Sequence, residues 1–384
     1  MGPRAQEDGS LTNFGKTAPF TMGVEEEFQI LDPETGNLVS RIDEVLGKAG
    51  PEHEENLQSE LFQAVVETAT DVCEDIGEVR EQVEGLRGTL LDFTSEKGYT
   101  IAAAGTHPTA RWEEQDYTQE ARYEELLEEV RWPAKRELIF GQHVHVAVPR
   151  AEQAIYVSNH IRPFLPILLA LSANSPFWKG KDTGLKACRV RIFDALPRTG
   201  MPRSYRSYAD FLAAVETFKA VGSAEDVTKL WYDVRPRPQL GTVEMRIPDL
   251  PTEAETSIAL AGLTQALVAR LAQAWEDDEP PLLDHNYEVI LENRWRAVRD
   301  GVDAELIQLG EDGAVEAVPM TDAWASTLDL LGDVPDELGL KREIAHLTGL
   351  VQRGKTGADR QREVHDRTGS YTEVIRDLVA RTVP

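Results

Sequence analysis

Thr21-Met22-Gly23-Val24-Glu25-Glu26-Glu27-Phe28-Gln29-Ile30-Leu31 sets three consecutive glutamates among apolar residues, and its reading decides the fold. Pro19 precedes it, and the turn-forming Asp32-Pro33-Glu34-Thr35-Gly36 follows. These boundaries mark a β-strand. Side chains alternate faces along a strand, so Glu25 and Glu27 share one face and Glu26 points to the other. Carboxylates two residues apart lie about 7 Å from each other. At an effective dielectric of about 20 they repel by roughly 2 kcal/mol. A divalent cation beside them reverses that sign. An exposed acidic edge strand would carry the same residues. The choice rests on whether further hard oxygen or imidazole ligands follow.

Such ligands follow. Glu60-Leu61-Phe62-Gln63-Ala64-Val65-Val66-Glu67-Thr68-Ala69-Thr70 is ambiguous in period. Leu57, Leu61, Ala64 and Val65 suit a helix face, whereas Val65, Val66 and the threonines favour a strand. As a strand it puts Gln63, Val65 and Glu67 on one side, and Glu60 needs a bend or bulge to join Glu67. Phe140–Val148 alternates strongly, so His143 and His145 share a face. A His-x-His strand facing acidic strands suits a metal or phosphate site; a hydrogen-bonded core histidine pair is the plainer alternative. In Gly241–Asp249, Thr242, Glu244 and Arg246 share one face above Val243, Met245 and Ile247. Glutamate beside arginine reads as a salt bridge in isolation. In a chain this acidic, Arg235 and Arg246 can instead grip phosphate or carboxylate through forked bonds.

The remainder reads as helices near 39–49, 77–97, 117–130, 152–172 (interrupted by Pro163 and Pro166), 207–222, 256–275, 291–301, 321–332 and 336–350. Residues 301–316 read as a turn-rich excursion. Ser370 and Glu373 form a capping-box pattern before the last helix. Gly354-Lys355-Thr356 lacks the upstream glycine and strand of a phosphate-binding loop. Residues 1–18 read as a mobile tail and 19–384 as one catalytic domain.

The chain has 384 residues, 67 acidic against 40 basic, for a formal charge of -27. That balance argues against binding nucleic acid or anionic membranes. Acid excess along the whole length suits a saline cytoplasm. Cys73 and Cys188 are the only cysteines, which excludes a disulfide framework or a thiolate metal motif and points to small core residues. The polar opening residues do not resemble a signal peptide, and Phe164–Ala173 is too short for a membrane span and contains Pro166. A soluble cytoplasmic protein is expected, with a homodimer left open.

Glu25, Glu27, Glu60, Glu67, His143 and Glu244, with Arg235 and Arg246, are the inward polar candidates. Carboxylates with one imidazole suit Mg²⁺, with Mn²⁺ an alternative, and substrate phosphates commonly complete such a shell. The residues alone therefore point to an open antiparallel sheet carrying metal and a polyphosphate, and to phosphoryl transfer from ATP.

Gly23-Val24-Glu25-Glu26-Glu27-Phe28, Gly141-Gln142-His143-Val144-His145-Val146, Ser172-Ala173-Asn174-Ser175-Pro176-Phe177-Trp178, Asp233-Val234-Arg235-Pro236, Gly241-Thr242-Val243-Glu244-Met245-Arg246, Glu292-Asn293-Arg294-Trp295 and Gly357-Ala358-Asp359-Arg360-Gln361 resemble, in collinear order, the motifs of the type 2 glutamate–cysteine ligases, or carboxylate–amine ligases. The acidity resembles halophile members. The resemblance implies an α+β, glutamine-synthetase-like fold, a curved antiparallel sheet with flanking helices. It implies ATP-dependent joining of L-glutamate and L-cysteine through a γ-glutamyl phosphate. It implies Glu25, Glu27, Glu67, His143 and Glu244 as metal ligands, Glu60 as a sixth, and Arg246 on the transferring phosphoryl group. Arg122, Arg235 and His145 become substrate or phosphate contacts. Gln142 and Pro248 depart from the usual pattern. The competing expectations are a ligase for another amine, a phosphagen-kinase-like activity on a related sheet, a non-catalytic nucleotide- or metal-binding protein, and an acidic structural protein.

Overall fold

The computed structural model describes residues 12–50, 53, 55–309 and 314–383. The acidic stretch forms β1 (Met22–Leu31), with β2 (Leu57–Ser59), β3 (Val65–Ala69), β4 (Thr100–Ala102), β5 (Gln142–Ala147), β6 (Val234–Arg237) and β7 (Thr242–Met245) completing a seven-stranded sheet. The order is β6-β7-β5-β1-β3-β2, with β4 also pairing β1, and each pairing is antiparallel. β1 lies inside the sheet, between β3 and β5, rather than at its edge. β6 is an edge and holds Pro236.

One face of β1, through Met22, Val24 and Phe28, is buried, as are Val144 and Val146 of β5 and Val243 and Met245 of β7. All but Phe28, which joins a second core with Ile30, Ile42, Val66 and Leu90, meet α2 (Ile76–Glu96), α4 (Ala151–His160) and α7 (Ala254–Glu276), whose apolar residues complete the main core. Burying this apolar area is the main driving force for the sheet–helix layer. Glu26 points into that layer, as the alternation requires. Arg87 of α2 grips it through Nε (3.0 Å) and Nη2 (2.6 Å), and the Ser257 hydroxyl donates to the same carboxylate (2.5 Å). Arg87 also donates to the carbonyls of Thr252 (2.7 Å) and Pro251 (3.2 Å). Gln142, in register with Glu26, donates to Ser257 on the helix side of the sheet. Pro248 accepts from the Gln142 amide at 3.2 Å.

The motifs spread along the sequence meet in space. Asn174 donates its side-chain amide to Leu250 O (2.8 Å) and Thr252 Oγ1 (3.0 Å), and Gln361 donates to Asn174 Oδ1 (2.8 Å). A Cβ at Gly357 would stand 2.2 Å from Asn174 Oδ1, which is why that position carries glycine. Asn174→Ala takes the side-chain donor from the buried Leu250 O and Thr252 Oγ1 and one of the two acceptors of the Gln361 amide, which keeps Asn174 O at 2.9 Å, and is expected to lower stability by about 1–3 kcal/mol. Urea unfolding followed by tryptophan fluorescence checks this. Arg294 of α8 (Tyr287–Asp300) likewise joins Asp233 (2.7 Å) at the start of β6 to Asp194 (2.9 Å).

The helix expectations hold with boundary shifts, except that 336–350 is broken at 338–340, where Gly339 takes a φ of 73°, into Val334–Glu337 and Lys341–Arg353; the two prolines do split the 152–172 run, α4 giving way at Arg162–Phe164 to α5 (Leu165–Ser172). Ala151–Ser172 is long and apolar enough to cross a membrane, and 78% of its apolar window is buried inside the protein. The 301–316 expectation is corrected: Glu305–Leu309 and Val315–Pro319 pair as an antiparallel hairpin. The second strand is almost wholly exposed, so its sequence carries no apolar alternation. Asn293 supports the hairpin by bonding both backbone groups of Ile307, at 2.9 and 2.7 Å. Ser370 caps the last helix through the Glu373 amide, but the reciprocal capping box forms at Thr356 and Asp359 instead. Both cysteines are free and buried. Of the expected 1–18 tail, residues 1–11 lie outside the described residues. Asn13 is bonded to Pro238 O at 2.8 Å.

Candidate active site

The other face of the sheet collects the sequence candidates by register. Glu27 lies opposite Glu67, Glu25 opposite His143, and Glu244 opposite His145 on one side and Arg235 on the other. These pairs fall on one face because β-pairing keeps alternate residues together. His143 Nδ1 lies 2.9 Å from Glu25 Oε2, and its Nε2 faces Glu27 Oε1 at 3.9 Å. That Nε2 is buried and has no hydrogen-bond partner. His145 Nε2 stands 3.2 Å from Glu25 and 3.7 Å from Glu244.

Glu60 reaches the cluster by the bend that its spacing demanded. β2 ends at Ser59, the chain turns through 61–64, and Glu60 Oε2 accepts from the Leu61 amide at 3.0 Å. Its charge bears on Glu27 and Glu67. Arg122 sits at the rim, bonded to Glu120 (3.0 Å) and to Ser59 O (3.1 Å), with its charge felt by Glu60.

Two groups bring ligand atoms within 4.8 Å of one another: Glu25, His143 and Glu244, and Glu27, Glu67 and His143. The electrostatics divide the carboxylates. Burial pushes Glu27 up to about 7, with Glu60 adding and Arg189 opposing. Burial, then Glu25, Glu60 and Glu27, pushes Glu67 well above the usual carboxylate range. Burial also raises Glu25 and Glu244, but His145 and His143 outweigh it at Glu25, and Arg235 and Arg246 outweigh it at Glu244, holding both well below that range. Burial, with Arg246 nearby, brings His143 down to about 4, leaving a neutral imidazole at neutral pH. Crowded hard oxygens around an orphaned, neutral ring nitrogen fit a divalent ion of the Mg²⁺ or Mn²⁺ kind.

Glu244 is fully buried among guanidiniums. Arg235 binds it with both Nε (2.8 Å) and Nη2 (3.1 Å), Arg246 at 2.5 Å and Arg237 at 3.3 Å. Arg235 also donates to three backbone carbonyls, Val227, Thr228 and Leu230, which fixes it as the brace of Glu244. Arg246 keeps a buried Nε without a partner and lies between the carboxylates and the arginine group. A mainly apolar cavity of about 220 Å³ adjoins the face, lined by Gly23, Glu25, His145, Leu240 and Thr242 among others.

With a sheet of this form and one acid–imidazole–arginine face, known proteins can be compared. The sequence profile of glutamate-cysteine ligase family 2 matches residues 21–381. This chain belongs to that family. A Rubrobacter xylanophilus relative, provisionally named glutamate–cysteine ligase 2-1, is 41% identical over 365 residues, covering 95% of each chain. A Sorangium cellulosum relative with the same kind of provisional name is 40% identical, covering 94% of this chain and 96% of its own. Among solved structures, the Francisella tularensis glutamate–cysteine ligase in complex with AMP superposes with a TM-score of 0.70 at 15% identity, over 95% of this chain and 88% of that one. A Pasteurella multocida bifunctional glutathione synthetase gives a TM-score of 0.69 at 12% identity, covering 95% of this chain and 52% of that one. The fold is the glutamine-synthetase-like α+β fold, and the family is one of ATP-dependent carboxylate–amine ligases.

Sequence reasoning about this ligase family chain missed three residues of the site. Arg237 shares the face of Arg235 across Pro236, and the same period-two count would have found it. Arg189 is buried beneath Gly141, where a Cβ would stand 1.9 Å from its guanidinium. Glu137 has two buried carboxylate oxygens without partners. Neither Arg189 nor Glu137 lies on a strand, so no periodicity marks them.

Proposed function

We propose that this ligase joins the γ-carboxylate of L-glutamate to the amine of L-cysteine, consuming ATP and giving γ-glutamylcysteine, ADP and phosphate. The supporting observation is the convergence of Glu25, Glu27, Glu67 and His143 beside Arg246 on one sheet face, in a member of this family. Glu25, Glu27, Glu67 and His143 would hold the divalent ions, with Glu60 as outer support. Bound there, Mg²⁺ would neutralise the triphosphate. Glu244 would serve as a ligand of one ion, and it is the anchor that Arg235 fixes and that aims Arg246. Arg246 steadies the γ-phosphoryl group as it passes from ADP to a glutamate carboxylate oxygen. The apolar cavity beside His145 accommodates the nucleotide base, and Arg122 at the rim meets an acidic substrate group. The amine nitrogen then attacks the acyl carbon, phosphate departs with the bonding electrons, and the amine sheds its proton. The chain's main contribution is alignment. A cytoplasmic location accords with the need for ATP, and the acid excess accords with a saline interior.

Purified protein supplied with Mg-ATP, glutamate and a panel of amines tests the reading by ADP release and product mass. Cysteine is expected to give the γ-glutamyl dipeptide. Preference for another amine would replace cysteine by that acceptor, and ADP release without a new amide would refute ligation. Arg246→Ala is expected to lower kcat about 10²–10³-fold, the cost of removing one preorganised charge-stabilising donor. Steady-state kinetics with circular dichroism as a folding control measures it.

A further inference from the structure

Away from the carboxylate face, the end of α4, the 201–204 segment and the start of α8 enclose a polar cavity of about 410 Å³. Arg162, Arg203, His160 and His285 line it, and Asp284 is its one carboxylate. None of the metal or phosphoryl candidates lines it.

The charge arrangement is unusual for this chain. Acidic residues outnumber basic ones 67 to 40, and most of the described arginines have a carboxylate within 4.0 Å. Among the described residues, Arg162 and Arg203 have no carboxylate partner. Arg162 donates only to neutral oxygens: Asn159 O (2.8 Å), Pro202 O (3.2 Å) and Ser204 Oγ (2.6 Å). A guanidinium has five N–H donors. Those bonds fix its orientation and leave donors over. Arg203 lies over the Tyr287 ring at 4.6 Å. Nδ1 of His285 is buried and has no partner. Two guanidiniums without a carboxylate partner, one of them oriented by three neutral oxygens, line a space large enough for a small ion and its waters. Forked donors of this kind match an oxyanion with several equivalent oxygens, whereas a cation would be repelled.

We propose that this cavity is a binding site for a small phosphate-type oxyanion, separate from the catalytic face. The shared chemistry is a phosphate group, free or carried by a nucleotide. The assignment does not depend on which amine the ligase accepts.

Calorimetric titration of the full chain with inorganic phosphate, without metal or ATP and at constant ionic strength, tests it. Wild type is expected to bind one phosphate. Arg203→Glu reverses an exposed charge that makes no hydrogen bond among the described residues, and is expected to weaken binding at least about tenfold. Arg111→Ala, at an exposed arginine paired with Glu113 and Glu114 that does not line the cavity, is expected to leave phosphate affinity unchanged. AMP titrated in the same way assigns the source. Tighter binding by AMP than by phosphate, lost in Arg203→Glu, marks a nucleotide phosphate, and weaker binding marks the free ion; either keeps the site. No phosphate binding by wild type, equal affinity in Arg203→Glu, or loss in Arg111→Ala would overturn the proposal.

Discussion

Glu27→Gln is expected to lower ligation by about 10²–10³-fold or more, because it removes charge where a triphosphate and its ion are to be stabilised. The same substitution is expected to leave the metal-free protein at least as stable as wild type. Glutamine keeps the shape of the side chain and the carbonyl that can accept from the Gly141 amide, which Glu27 binds at 2.5 Å. It also relieves a penalty. Burial and the charge of Glu60 push Glu27 up to about 7, so its ionised form is disfavoured in the folded protein. With a raised folded-state value, the native state holds its proton more tightly than the unfolded chain, and stability is lost as pH rises through that value. The neutral amide escapes this loss. ADP release, Mn²⁺ binding by electron paramagnetic resonance and thermal melting separate the effects. Activity and Mn²⁺ affinity should collapse while the melting temperature holds. Full activity in this variant would remove Glu27 from the ion site.

Arg87→Met is expected to have the opposite profile, with stability falling by about 3–5 kcal/mol, because a buried carboxylate would lose its counter-charge. Glu26 and Arg87 are 1% and 0% exposed, so water cannot substitute for the missing partner. Replacing both residues together, Glu26→Leu with Arg87→Met, should recover much of the loss, since neither charge is then desolvated. Urea unfolding of the single and double variants gives the comparison. A single variant as stable as wild type would show that the Glu26–Arg87 pair does not hold the sheet to the helix layer. The two glutamates are adjacent in sequence, and their expected phenotypes differ because the pleat sends one to the ion face and the other to the helices.

That division was legible in the sequence, since it needs only the strand assignment of 21–31. The His143–His145 and Glu244–Arg246 faces followed from the same alternation, and Glu60 announced its bend by failing the period with Glu67. Arg235 was legible as an inward arginine but not as the brace of Glu244, because its three carbonyl partners come from the 227–230 segment. The hairpin at 305–319 was missed because its pairing is a backbone matter with little burial behind it. Motifs quoted for the family resemblance, such as Asn174 with Gln361 and Asp233 with Arg294, turn out to bond to each other. Their spacing in the chain gives no hint of that contact, which exists only once the helices have packed.

Pro236 sits in the border strand β6. A proline there supplies no amide hydrogen to a newcomer. Concentrated protein is thereby denied a continuous template for stacking molecule upon molecule along that margin, and the row of arginines just inside it is spared from being papered over by a neighbour's backbone.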